Sequence, residues 1–270
     1  MYETKKSSAV EDLREVLSKP LFNPILRTWV GEGKLDYGIY LRTTDLLSLQ
    51  TSSNELVDPD ELMFQIVHQA QEVWLKLLSH ELTEIVCDLD RNALWDVAAR
   101  LDRAVRIAHC LAEELRVLET LTPDTYHVIR RSLGSGSGQE SPGYNAVRTA
   151  AAYVATALDR LLADRGVSVI EVYGPATRSM PELRRICELL VDFDENYQMW
   201  LVTHFMLVRR TIGVDRTTKA LDGVSTQVLI GRMTRPLFRE LWKAREEMTA
   251  NWDRAGGYAP GAARRTTESP

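Results

Sequence analysis

The chain has 270 residues, 44% of them hydrophobic and 26% charged, enough to bury a sizeable core in one large domain. Its formal net charge is -5, with the charges spread along the chain and no basic block, which argues against a nucleic-acid surface. No apolar run approaches the ~18 residues of a membrane span, and the charged start "MYETKKSSAVEDLREV" has no apolar signal core, so a cytoplasmic protein that neither spans nor binds a membrane is expected.

Helical periodicity dominates from about residue 60 onward. "DPDELMFQIVHQAQEVWLKLLSHELTEIVCDL" predicts a helix over about residues 60–88, with Asp58 and Asp60 as caps beside Pro59. A second helix is expected over about 92–118, with Trp95, Leu101, Val105, Ala108, Leu111 and Leu115 on one side. "LETLTPDTYHVIRRSLG" then joins a helix end to a proline turn and a helical stretch that puts Tyr126 and Arg130 on one face. The Gly/Ser-rich stretch over 130–144 reads as a flexible connection, followed by a helix over about 145–164. "VSVIEVYG", around 167–174, fits either a strand or a buried turn. A long amphipathic helix covers 196–213, a last one runs from near Pro236 to Trp252, and the tail over 256–270 lacks the apolar content to pack and is expected to be disordered. There is no internal repeat and no βαβ alternation, so the expected class is all-α, a helical bundle in a single domain over 1–255.

Several chemistries drop out. Neither GxGxxG nor GxxxxGK[ST] occurs. "HEL" at His80 lacks the second histidine of a zinc-protease motif, and His80 reads as a surface or interface residue. Cys87, Cys110 and Cys187 sit in apolar helical patterns without CxxC spacing and read as reduced core thiols.

Two histidines stand out instead. His204 shares a stripe with Phe193, Tyr197, Trp200, Leu201, Val208 and Thr211, and His68 follows Phe64 by one turn. A core histidine satisfied by carbonyls or water explains either one. Two on facing helices also fit a cofactor held between them, one imidazole ligating the metal and the other serving the substrate, since haem needs an apolar pocket and an axial ligand. Arg130 beside Tyr126 suits a carboxylate, because the guanidinium fork meets both oxygens; a surface arginine packed on a tyrosine is the plain alternative.

The stretches "LDYGIYLRTTDLLSLQ", "DELMFQIVHQAQEVWLKLLSHEL", "VLETLTPDTYHVIRRSLG", "QMWLVTHFMLVRRTIG" and "LFRELWKAREEM" resemble, in order and spacing, the tryptophan 2,3-dioxygenases, over roughly residues 35–252. The resemblance implies an all-helical haem b protein, usually a homotetramer, using O2 as co-substrate to insert oxygen at the indole C2–C3 bond of L-tryptophan. By position it makes His204 the axial iron ligand and His68 the acceptor of the indole N–H. Phe64 would pack on the substrate, and Tyr126 and Arg130 would hold its carboxylate. Thr218 matches the threonine of the family's substrate-covering loop, and Tyr37, Tyr40 and Leu41 match a segment that completes a neighbouring subunit's pocket. The second ring nitrogen of His204 is expected to donate to an acceptor that tunes the iron.

Two departures from the family pattern concern the loops. "RTTKALDGVS" stands where a Gly-Thr-Gly-Gly-Ser-type lid is expected, and Lys219 and Ala220 resist backbone conformations that glycine permits. "SGQESPGYN" replaces Ser-Gly-Phe-Gln-Ser and Gln-Tyr-Arg, with Asn145 at the arginine position, and the chain from there to the His204 helix is shorter than usual. Three functions therefore remain in view: an indole-cleaving dioxygenase forming N-formylkynurenine, a monooxygenating relative acting on tryptophan or β-methyltryptophan in natural-product synthesis, and a haem-binding protein without catalysis. Phe64, His68, Tyr126 and Arg130 argue against the third, since a bare haem carrier has no need of a carboxylate clamp.

Overall fold

The computed structural model describes residues 8–17, 35–174, 180–215, 217–226, 228–233, 235–253 and 261. Apart from Gly261, the tail expected to be disordered lies outside the described residues, as does Arg216 of the lid. Contacts divide the chain into Met1–Ser52 and Ser53–Pro270. The first unit holds α1 (Ser8–Leu17), α2 (Asp36–Leu41) and α3 (Thr43–Leu46), and neither α2 nor α3 has a buried residue.

The second unit is built on four long helices: α4 (Glu61–Asp90), α5 (Leu94–Leu115), α7 (Pro142–Asp164) and α9 (Pro181–Thr211). Shorter helices α6 (Pro123–Arg130), α8 (Val169–Val172), α10 (Val228–Met233) and α11 (Arg239–Ala250) complete it. The only β pairing among the described residues is an isolated bridge between Lys219 and Ser225, so the all-α expectation holds. No helix among them is long and apolar enough to cross a membrane.

Helix α4 forms because Leu75, Leu78, Leu82, Ile85 and Leu89 recur at three- and four-residue spacing, and all five are buried. It starts as expected but is capped differently. The Asp60 side chain makes no cap bond; instead Asp58 accepts from Asp60 N at 2.9 Å and Glu61 reaches back to Val57 N at 2.8 Å. Asn92, at φ 58, turns the chain into α5. Arg100 then ties the two helices by pairing with Asp88 at 2.8 Å and Glu81 at 3.1 Å, two carboxylates that are almost wholly buried.

Trp95 departs from its expected place and is 86% exposed. The buried stripe of α5 runs through Val97, Leu101, Ala104, Ala108 and Leu111, and at roughly 100° per residue Trp95 falls on the opposite side. The cysteines differ too: Cys187 is buried, Cys110 is half-buried and Cys87 faces out from α4, so only Cys187 is a core thiol. "VSVIEVYG" is neither strand nor turn but the short α8, closed by a Ser168–Glu171 capping box.

Helix α7 approaches α4 at Gly143, where a Cβ would lie 2.6 Å from Leu75 Cβ, so only glycine fits. Helix α9 begins at Pro181, well before residue 196, and lays Ile186, Leu190, Phe193, Tyr197 and Trp200 into the core. Its Asp194 is fully buried and accepts from Leu237 N, Phe238 N and Trp242 Nε1 at 2.9–3.1 Å, pinning the entry to α11. The last helix therefore starts after Phe238 rather than at Pro236.

Candidate active site

Within the second unit, α4, α6, α9 and two loops line a cavity of about 440 Å³ with mostly apolar walls. Phe64, His68, Tyr126, Arg130 and His204, all singled out in the sequence, line it.

His68 lies against Phe64, ring centroids 4.2 Å apart, and Phe64 is 6.1 Å from the Tyr126 ring. The His68 Nδ1 is 2.7 Å from the Phe64 carbonyl. A carbonyl can only accept, so Nδ1 carries the proton and Nε2 presents a lone pair to the cavity whenever the ring is neutral. Enclosure pushes the His68 imidazole below its ordinary value, against the pull of the Phe64 carbonyl and of Glu72 one turn away. The ring is thereby kept neutral at physiological pH.

His204 is also pushed down, to about 4, first by burial and then by the nearby His68. A Cβ built on Gly138 would sit 3.6 Å from His204 Nε2, so the loop offers only a bare glycine to that nitrogen. The expected acceptor for the second ring nitrogen is not found: among the described residues neither nitrogen of His204 has a hydrogen-bond partner. Nor do the described residues hold a cluster of three or more His, Cys, Asp or Glu that could cage an ion. A neutral, enclosed, unpartnered imidazole in an apolar chamber suits one axial bond to a metal carried by a flat cofactor, and does not suit a zinc cage.

Tyr126 and Arg130 project from α6, whose Pro123 stands at the first turn. Burial raises the Tyr126 hydroxyl above its usual value, partly offset by Arg130, so it stays a hydrogen-bond donor. Arg130 Nη2 donates to the Lys219 carbonyl at 3.0 Å. The residue expected to grip a carboxylate thus holds a backbone oxygen of the lid.

That lid is a tight hairpin. Asp215 accepts from the Thr217 hydroxyl at 2.8 Å and from Thr217 N and Thr218 N, both at 2.6 Å, and these bonds, the hydroxyl's foremost, hold its carboxyl down at about 2. Ala220 N donates to Val224 O at 2.9 Å across a turn with Gly223 at φ 79. Thr218 does not line the cavity, because its N–H and C=O are engaged by Asp215 and Thr226; Ala220, Leu221, Ser225 and Thr226 line it instead. Of the hairpin's hydroxyl residues it is therefore Ser225 and Thr226 that line the chamber, and spacing alone did not single them out.

The second loop, residues 137–141, closes the other wall. Glu72 accepts from the Ser141 hydroxyl and from Gly143 N at 3.0 Å, while Asn145 Nδ2 donates to Gln139 O at 3.1 Å and Ser141 O at 2.9 Å. Asn145, standing where the resemblance expects arginine, is a loop clamp. The "flexible connection" is thus a shaped wall with a 3₁₀ turn at Gly138–Glu140.

Tyr37, Tyr40 and Leu41 belong to the other unit, on α2, and are 71%, 88% and 45% exposed. His80 is exposed, as expected.

Comparison with known proteins follows the same residues. The sequence model of the family described as tryptophan 2,3-dioxygenase matches residues 27–152. A tryptophan 2,3-dioxygenase of Saccharopolyspora erythraea is 32% identical over 280 residues, covering 86% of this chain and 98% of that protein. The corresponding protein of Xanthomonas euvesicatoria is 33% identical over 242 residues, covering 72% and 81%. The chain belongs to the tryptophan 2,3-dioxygenase family. The relative from Saccharopolyspora spans nearly its whole length, so the likeness is not confined to the matched segment that carries Phe64, His68, Tyr126 and Arg130.

Proposed function

We propose that this family member is a haem-dependent dioxygenase that opens the indole of L-tryptophan at C2–C3 with both atoms of O2, giving N-formylkynurenine. The observation that carries this reading is the placement of two differently prepared histidines in one chamber with an aromatic plate and an arginine. Haem, when bound, supplies the activation of O2. His204 would hold it through Nε2, the nitrogen to which the 137–141 loop presents only Gly138, and the depressed basicity of that ring keeps its lone pair free of protons at neutral pH.

The remaining steps belong to this chain's own side chains. Arg130 releases the Lys219 carbonyl and takes the carboxylate of the amino acid in a two-bond grip, with the Tyr126 hydroxyl donating beside it. Phe64 lies along the indole. His68 Nε2, left as an acceptor by the Nδ1 bond to Phe64, takes the hydrogen bond of the indole N–H and so fixes which edge faces the reaction. The apolar walls and the hairpin that carries Ala220 and Leu221 keep bulk water out. Substrate ammonium is read by the hydroxyls of Ser225 and Thr226, with Thr218 supporting them through its carbonyl bonds to Thr226.

The assembly we propose is a cytoplasmic homotetramer in which Tyr37, Tyr40 and Leu41 complete a neighbour's pocket. Supporting it, α2 and the following turns expose Ile39, Leu46, Leu47 and Leu49 as well, more apolar surface in one short stretch than a lone chain ordinarily leaves to water. The test of the function is the mass of the product formed from L-tryptophan and O2 by the haem-loaded, reduced protein. Gain of two oxygen atoms is expected; gain of one, or no product, overturns the proposal.

A further inference from the structure

The helices that carry the two histidines do not lean on one another. Helix α4 packs on α5 and α7, and α9 packs on α5, so His68 and His204 face each other from helices joined through a common neighbour. One side-chain bond links them directly at the cavity wall: Trp200 Nε1–H donates to Gln71 Oε1 at 2.7 Å. Gln71 stands three residues after His68 and Trp200 four before His204, so each is one helical turn from its histidine.

The orientation of Gln71 is fixed from its other end. Its Nε2 donates to the Leu111 carbonyl at 2.9 Å and to Glu114 at 3.4 Å, both on α5. Glu114 is in turn held by Trp74 Nε1 at 2.6 Å, one turn further along α4. With both amide hydrogens facing acceptors, only Oε1 is left for the indole. Trp200 is braced as well, 5.5 Å from the Tyr197 ring and 6.2 Å from that of Tyr144. Gln71 and Trp200 are 5% and 7% exposed, so no bulk water stands ready to replace a lost partner.

We propose that the Gln71–Trp200 hydrogen bond is the strut that sets how His68 and His204 face one another across the cavity, with Gln71 as its positioning residue. The proposal rests on the reading of His204 as the axial ligand and His68 as the substrate's acceptor. Gln71→Met keeps the volume but removes the amide. Trp200 Nε1–H then loses its partner, and α9 turns or slides relative to α4 to satisfy it. Small displacements of this kind act on turnover far more than on cofactor retention, because reactive geometry is sensitive to ångström shifts.

The experiment uses the haem-loaded protein with Gln71→Met, Trp200→Phe and the double variant, each checked for native helical content. Wild-type-like haem affinity, within about threefold, is expected together with a fall of about 10- to 100-fold in kcat/KM for L-tryptophan. The C–O stretching band of the ferrous protein under carbon monoxide, a probe of the surroundings that His68 provides, should shift or split in both single variants. In the apoprotein labelled with ¹⁵N-tryptophan, the indole cross-peak missing from Trp200→Phe should move upfield in Gln71→Met. The double variant should be no worse than the more impaired single one, because both changes cut the same bond. An unchanged C–O band and kcat/KM in Gln71→Met, or additive losses in the double variant, overturn the strut. If His204→Ala retains haem with the parent spectrum, it is the ligand reading that fails instead.

Discussion

The two histidine helices and the two loops that close over them are held by different means. In α4 and α9 the core side chains recur at helical spacing, and removing any one leaves the others in place. The 137–141 wall and the 215–226 hairpin bury few large side chains and depend on single polar bonds: Glu72 to Ser141, Asn145 to Gln139, Arg130 to Lys219, Asp215 to Thr217 and Thr218. Redundant packing suits helices that must hold their own shape, while the single Gln71–Trp200 bond sets how the histidines they carry face each other. Single bonds suit walls that must open for a substrate, since each is worth only about 1 kcal/mol net.

The largest effect should come from His204→Ala. It removes the nitrogen proposed to hold the haem, and the described residues offer no cluster of three or more ligands in its place, so haem should be lost on gel filtration while the far-ultraviolet dichroism of the apoprotein stays native. Retention of haem with the parent spectrum would mean that another residue ligates it. Next, Arg130→Ala should weaken L-tryptophan binding by about 2 to 5 kcal/mol, as when one member of a buried charge pair is removed. Tryptamine, which lacks the carboxylate, should bind the variant and the parent alike in the same titration. Equal losses for both ligands would show that Arg130 acts on the hairpin through Lys219 and not on the carboxylate.

His68 offers a pH test. Its imidazole lies below the ordinary value of 6.5, so it takes up a proton only at more acid pH and remains an acceptor through the neutral range. The profile of kcat/KM should therefore be flat at neutrality and begin to fall below pH 6.5, with the fall abolished or moved in His68→Gln. A decline that starts above 6.5 would contradict a neutral His68.

Asp194→Ala probes the border between the two regions. The carboxylate sits on α9 within the packed core but holds Leu237 N, Phe238 N and Trp242 Nε1 at the far end of the lid segment. Leaving these donors unpaired in the core should cost about 3 kcal/mol in urea-monitored stability. A change under ~1 kcal/mol would mean that water replaces the carboxylate.

Legibility followed the same division. Helix type and the place of the two histidines on apolar stripes could be read from period, because the turns of α4 and of the second half of α9 repeat the same apolar instruction. Errors fell where a tertiary bond outweighed a local signal. Pro236 marks a helix start by type, yet Asp194 draws the neighbouring N–H groups to itself and α11 begins after Phe238. Thr218 matched its family position, yet Asp215, three residues earlier, engages its N–H and turns Ser225 and Thr226 to the cavity instead. Hydrophobicity alone puts Trp95 in the core, whereas its phase against Leu101 and Ala108 sets it on the outer side, where it is found. Gln71 gave no signal, because a polar residue in an apolar stripe has no meaning until Trp200 and Leu111 are seen around it.

The smallest expected effect tests the contrast most directly. Asn145→Ala removes two donations, to Gln139 O and Ser141 O, from an exposed side chain at the start of α7. Ser141 still caps that helix through Tyr144 N at 3.0 Å, and Gly143 still meets Leu75, so the helix should keep its packing. Global stability should fall by only about 1 kcal/mol, a shift of about 2 to 4 °C in melting temperature for a chain of this size. Hydrogen exchange should respond unevenly, with amides of residues 137–141 exchanging about tenfold faster and those of α4 and α9 unchanged. If protection fell equally across α4, the wall and the bundle would open as one unit, and the division between redundant helices and singly tethered loops would be lost. If only the wall responded, its looseness would be local, and Gly138 could move off His204 Nε2 without disturbing the helix that carries the imidazole.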